Sequence, residues 1–302
     1  MASPPSQQER PQAPSPFRRI AVIGLGLIGG SIGLAARAAS TAKEIAGFDK
    51  SPDTVQGALA LGAIDVPAST LKEAVTGADL IILAAPLQTV PALLEEVAAH
   101  SMARALVTDV GSVKQQIVQV GHKHFGNRFV GGHPMAGSEQ NGLVSASAEL
   151  FAGAPWAIVR SDPFSLAADR PCRRIAEFVS ALGARPEPIT CETHDRAVAV
   201  CSHLPHIISF AFARMVPHLS FAEDVLRLAG PSFRDFMRVS RSSPDLWSRI
   251  FADNRLMVSE ACDSFLASLK LIAGSIESAD PDDIRASLVV ESDIAGVDDK
   301  RA

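Results

Sequence analysis

Short apolar runs alternate with segments of helical period from Arg18 to about Pro188. Ile20–Ile23, Ile45–Phe48, Leu80–Ala84, Leu106–Val110, Phe129–Val130 and Trp156–Val159 read as strands. These runs are apolar on both faces, which suits a parallel sheet covered by helices on each side. From about Glu192 the period changes. Ala, Leu, Phe and Met recur at helical spacing through Ala197–Val216, Phe221–Leu228, Ser232–Val239 and Leu246–Ile272, and Leu288–Val290 is the one later strand candidate. The pattern predicts a doubly wound α/β domain over residues 18–190 and an all-α domain over 191–302. Residues 1–17 hold five prolines and too little apolar surface to fold, so a disordered tail is expected there.

Charge and composition remove several function classes. Lys plus Arg is 28 against 33 Asp plus Glu, a net charge of −5, whereas a nucleic-acid binder should show a basic excess. The strongest apolar run, near Leu80–Leu87, is less than half of a membrane span. No secretory signal precedes the first strand, and the four cysteines show no C-x-x-C spacing, so neither a metal site nor a disulfide framework is suggested. The expected compartment is the cytoplasm. The chain has no tyrosine, which excludes dehydrogenase chemistry that relies on a phenol as acid or base.

The first strand runs into Gly24-Leu25-Gly26-Leu27-Ile28-Gly29 and then an amphipathic segment. Such a G-x-G-x-x-G turn serves a dinucleotide: Gly24 for the tight turn, Gly26 for close approach of the pyrophosphate, Gly29 for helix–strand packing. Leu27 and Ile28 complete the cofactor-binding turn. Asp49 ends the second strand twenty residues after Gly29, where an acid can accept from a ribose 2′-hydroxyl and repel a 2′-phosphate. The unit is Rossmann-type, and NAD is expected, with NADP a weaker alternative because Lys50 adjoins the acid.

Two later stretches fall at expected carboxyl ends of strands, which border the ligand crevice. In Thr108–Lys114, Ser112 reads as the N-cap of a following helix and also as a group near substrate. In Gly131–Glu139, Pro134 biases His133 toward an extended conformation and a projecting ring. The helical half carries Ser202-His203-Leu204-Pro205-His206, where Pro205 should kink the helix and two imidazoles with a hydroxyl suggest a pocket wall. Arg234, Arg238 and Arg241 fall on one face beside Phe233, Phe236 and Met237, a setting in which Arg238 suits carboxylate binding while Arg234 and Arg241 read as a solvated basic face. Ser243-Pro244-Asp245 reads as a helix start, with Trp247 either core or pocket border.

Taken in order, Gly24–Ser31, Asp109–Lys114, Gly131–Glu139, Ser202–His206 and Gly230–Trp247 resemble the prephenate/arogenate (cyclohexadienyl) dehydrogenase family of tyrosine biosynthesis. The resemblance spans about Arg18 to at least Leu269. It implies a Rossmann domain followed by a helical domain that forms a homodimer, with no separate C-terminal control module. It implies His133 as the catalytic base and Ser112 as its hydroxyl partner. Ser202 and His206 match pocket residues, Glu139 a pocket-edge acid and Arg238 the binder of the substrate carboxylate. The loop holding Asn141 is implied to lie near the substrate side chain. A neutral residue there favours the ketone of prephenate over the ammonium of arogenate. The rivals are a β-hydroxyacid-type dehydrogenase, which relies on a lysine absent from Glu192–Val216, and an NAD-sensing regulator without turnover.

Overall fold

The computed structural model of the chain describes residues 17–137 and 142–289. Residues 1–16 of the expected N-terminal tail, Glu139 and Asn141 lie outside the described residues, while Phe17, expected in that tail, is buried and begins the first strand. Eight strands form one sheet: β1 (Phe17–Ile23), β2 (Ala42–Phe48), β3 (Val66–Pro67), β4 (Leu80–Leu83), β5 (Leu106–Asp109), β6 (Phe129–Pro134), β7 (Pro155–Arg160) and β8 (Arg185–Thr190). Their order is β3-β2-β1-β4-β5-β6-β7-β8. Strands β1 to β6 run parallel, β7 is antiparallel to β6, and β8 is parallel to β7. The order reverses between β1 and β4, opening the ligand crevice of a doubly wound sheet at the strands' carboxyl ends.

The apolar runs are continuous because alternate side chains enter different cores. Ile20 and Val22 of β1, with Leu80 and Ile82 of β4, join α1 (Leu27–Ala38), α2 (Pro52–Leu61) and, farther along the same face, α6 (Arg170–Ala181). Ala21, Ile23, Ile81 and Leu83 face α3 (Leu71–Val75), α4 (Val90–His100) and α5 (Gln115–Phe125). Period-two side-chain direction distributes each strand to both layers.

Two strands lie outside the pattern read from the sequence. β3 pairs through only Val66 and Pro67. β8 reads Arg-Pro-Glu-Pro-Ile-Thr and carries prolines opposite Trp156 and Ile158. A proline has no N–H to donate, so it is tolerated on an edge strand bonded on one side only.

After β8 the described chain is helical: α7 (Cys191–Val198), a π-helical turn (Ala199–His203), α8 (Leu204–Met215), α9 (Ala222–Arg227), α10 (Pro231–Val239), α11 (Pro244–Asp253), α12 (Arg255–Ser278) and α13 (Pro281–Leu288). Leu288 therefore ends a helix, not a strand. The distortion expected at Pro205 takes the form of the π turn. Pro205 cannot donate to the carbonyl four residues back, and a wider turn absorbs the missing bond. The helical run Cys191–His218 has the length and hydropathy of a membrane span, yet its His194, Asp195 and His203 are buried. Much apolar surface stays open on this half: Leu228 is 80% exposed and Leu271 74%.

Candidate active site

The glycine turn has the geometry its sequence requires. Gly24 sits at φ +93°, and a Cβ there would lie 2.5 Å from the Ala84 carbonyl oxygen. A Cβ on Gly29 would lie 1.9 Å from the Gly24 carbonyl oxygen, so helix α1 packs directly on the turn. Gly26 is the N-cap of α1 and makes no side-chain cap, and a Cβ on it would meet nothing within 4 Å. The N–H groups of the first turn, from Leu27 and Ile28 onward, thus face an approach open to an anion. Asp49 accepts from Leu25 N at 2.8 Å and Ser51 N at 3.0 Å. A carboxylate has about four acceptor sites, leaving room for a ribose hydroxyl. Beside it a cavity of about 430 Å³ is lined by Phe48, Asp49, Lys50, Val55 and Ala68 among others. The residues present fit a dinucleotide.

His133 stands at the end of β6, half-buried, on the same carboxyl edge. Its Nδ1 lies 2.9 Å from His194 Nε2, and His194 Nδ1 lies 2.7 Å from Asp195 Oδ1. Nε2 of His133 makes no hydrogen bond among the described residues. Burial pushes the His133 imidazole well below 6.5, and the neighbouring Lys114 ammonium acts in the same direction.

Lys114 is the fixed post of this edge. Its ammonium is fully buried, paired with the Asp109 carboxylate, and donates to the Gly132 carbonyl at 2.8 Å. Asp109 also accepts from Gly111 N at 2.8 Å and Gly132 N at 3.2 Å. The pair therefore ties the end of β5 to the residue before His133. Ser112 is half-buried in the same loop. It does not cap α5, whose N-cap is Lys114. That position is served instead by Asp195, which accepts from Lys114 N at 2.9 Å and Gln115 N at 3.0 Å. A carboxylate supplied from another element does the capping that a local hydroxyl was expected to do.

The helical half supplies the facing wall. His206 Nδ1 bonds the Ser202 carbonyl at 2.9 Å, so Ser202 meets His206 through its backbone. His203 is buried, 3.3 Å from Asn254 Nδ2, and edge-on to Trp247 and Phe251. Asn254 Nδ2 also donates to the Asp195 carbonyl at 2.8 Å. Trp247 is buried and stacks on His206, so it serves both core and wall. Ser243 caps α11 by accepting from Leu246 N, as its sequence suggested. Arg234 and Arg238 lie on α10, which packs on α8 through Phe212, Phe233 and Phe236, while Arg241 lies past the helix end.

Sequence reading missed His194, Asp195 and Asn254 and gave Lys114 no role. The adjacent His194-Asp195 pair was the available signal, because an acid beside a histidine can orient a ring.

A Rossmann-type sheet with an open glycine cradle, faced by a histidine-lined helical wall, defines a two-domain dinucleotide-dependent dehydrogenase. The chain belongs to the prephenate dehydrogenase family: residues 32–185 match its nucleotide-binding domain and residues 190–289 its dimerization domain. It is similar to prephenate dehydrogenase of Bacillus subtilis, 33% identical over 269 residues, covering 88% of this chain and 72% of that protein. It is equally similar to cyclohexadienyl dehydrogenase of Zymomonas mobilis, 33% identical over 269 residues, with coverage of 88% and 91%. Among solved structures it resembles prephenate dehydrogenase of Aquifex aeolicus in complex with hydroxyphenyl propionate and NAD+. The TM-score is 0.83 at 27% identity, over 92% of this chain and 96% of that one.

Proposed function

We propose that this chain oxidises prephenate to 4-hydroxyphenylpyruvate, with NAD as hydride acceptor and loss of CO₂. The observation that carries this reading is His133, at the carboxyl edge that also holds the open glycine cradle, with an Nε2 unbonded among the described residues. When bound, NAD accepts the hydride from ring C4. His133 Nε2 takes the C4 hydroxyl proton as that hydride leaves. Departure of the ring carboxylate as CO₂ restores aromaticity, and the phenolate oxygen regains the proton from His133. A neutral imidazole suits the step, since a base must be unprotonated to act.

Ser112 is the hydroxyl partner at the reacting oxygen in this reading. Ser202, His206, Arg238 and Trp247 bind the dianionic substrate, Arg238 through a carboxylate. Gly24, Gly26, Leu27, Ile28, Gly29 and Asp49 hold the cofactor. The exposed apolar residues of the helical half, among them Leu266 and Leu269 one turn apart on α12, support a homodimer. The chain divides at residues 190 and 191, a reading supported by the end of β8 and the start of α7. We take the cytoplasm as its compartment, a reading supported by four free cysteines.

The test is NADH formation with prephenate and, separately, with arogenate. Faster turnover of prephenate is expected. A kcat/KM higher for arogenate would reassign the substrate, and no turnover of either would overturn the function.

A further inference from the structure

We infer that His194 and Asp195 form a positioning relay that holds His133 with its proton on Nδ1, leaving the Nε2 lone pair for the substrate hydroxyl. The inference rests on the reading of His133 as the base. The direction of the relay follows from what each atom can give. The Asp195 carboxylate can only accept, and it already receives two backbone N–H groups at the start of α5, where negative charge is favoured. His194 Nδ1, at 2.7 Å, must therefore be the donor. A neutral His194 then has only a lone pair at Nε2, and it accepts from His133 Nδ1–H at 2.9 Å.

The relay requires that neutral form. His194 is 2% exposed, and the cluster already holds the Lys114 ammonium. Of the two carboxylates in the cluster, Asp109 is engaged by Lys114 and Asp195 already receives the N–H groups of Lys114 and Gln115. The groups facing the two rings are Asp195 on α7, Lys114 and Asp109 at the β5 edge, and His203 in the π turn. Asp195 has a second consequence. By binding Lys114 N and Gln115 N it pins the loop that carries Ser112, so one carboxylate sets both the orientation of the base and the place of its hydroxyl partner.

Nitrogen-15 NMR of histidine-labelled protein, with His133→Asn to assign the signal, reads the tautomer without relying on turnover. The expected result is His133 protonated at Nδ1 with a bare Nε2. A His133 carrying its neutral proton on Nε2 would overturn the relay even if prephenate is turned over. A correct tautomer in a protein that turns over neither substrate would leave the relay standing and the function refuted.

Kinetics of His194→Phe and Asp195→Asn in the full chain supply the second arm. Losing a tautomer-fixing carboxylate in a Ser-His-Asp triad costs about 10⁴ in kcat. A fall of at least about 10²-fold is expected here, with KM for NAD little changed, and His194→Gln should recover part of it by restoring an acceptor. The acid limb of the kcat/KM profile should move to lower pH in His194→Phe, because the imidazolium of His133 loses its acceptor. A limb that moves upward means that His194 is a cation repelling His133, and it overturns the relay. Unchanged kcat in a folded variant does the same.

Discussion

His206 lies flat on Trp247, with ring centroids 3.6 Å apart and planes inclined by 23°. The contact joins α8 to α11, and Nδ1 of the same imidazole is held by the Ser202 carbonyl. Two restraints on one ring fix its tautomer and leave Nε2 for a ligand. Replacing Trp247 by Phe keeps an aromatic face but reduces the stack. With aromatic pairing worth about 0.5–1.5 kcal/mol, KM for prephenate should rise about two- to tenfold. KM for NAD should hold. If the two constants rise together, the stack supports the fold rather than the pocket.

His133→Asn should lower kcat by about 10²–10⁴, the range for removal of a general base. The pH profile of the unmodified enzyme carries a second expectation. Burial and neighbouring positive charge hold the His133 imidazole well below 6.5, so its neutral, active form persists as pH drops through 6.5. The acid limb of kcat/KM should therefore fall clearly below that pH. A limb centred at or above 6.5 assigns the titration to another group.

Asp49 should give NAD its advantage over NADP through repulsion of the 2′-phosphate. Asp49→Ser removes the charge, and a change of about 1.4 kcal/mol would shift the preference about tenfold toward NADP. Because Asp49 also accepts from Leu25 N and Ser51 N, the variant should bind NAD more weakly as well. Equal kcat/KM for the two cofactors in the unmodified enzyme would remove the basis of the assignment.

Arg238→Gln keeps a polar side chain on α10 and removes the charge. Loss of a charge-assisted bond to a carboxylate costs roughly 1.5–3 kcal/mol, so KM for prephenate should rise at least about tenfold. Arg234→Gln serves as the control and should change little. A rise confined to KM for NAD would move Arg238 out of the substrate site.

Stability should depend on acid through His203. Its imidazole is pushed down to about 4, chiefly by burial and against the opposing pull of Asp195. Between pH 6.5 and 4 the unfolded chain binds the proton and the folded chain does not, so stability is full above 6.5 and is lost as pH falls toward 4. At about 1.4 kcal/mol per pH unit the loss by pH 4 reaches roughly 3–4 kcal/mol. Denaturant midpoints at neutral and mildly acidic pH should diverge in the native protein and diverge less in His203→Gln, where the lowered imidazoles of His133 and His206 still contribute. Equal slopes in both proteins would assign the acid sensitivity elsewhere.

The glycine turn, the six longer apolar strands and the change to helical period near residue 191 were legible in the chain itself. They depend on local rules: a turn at φ +93° takes Gly24, and side chains that alternate between two covered faces leave an unbroken apolar run. His133, His206 and Arg238 were legible as candidates too, and the resemblance carried by the ordered motifs gave each a role. What joins these residues was not local. β8 was hidden because two prolines mask an edge strand. Ser112 was expected to cap α5, and Asp195, 81 residues from Lys114, does so instead. His133 and His194 are 61 residues apart and meet because β6 ends against α7. Hydrogen-bond partners of that separation are set by the order of strands and the docking of the helical half, which decide which donor reaches which acceptor. Periodicity along the chain determines the elements, and only their packing aligned Asp195, His194 and His133 in a single line of contacts.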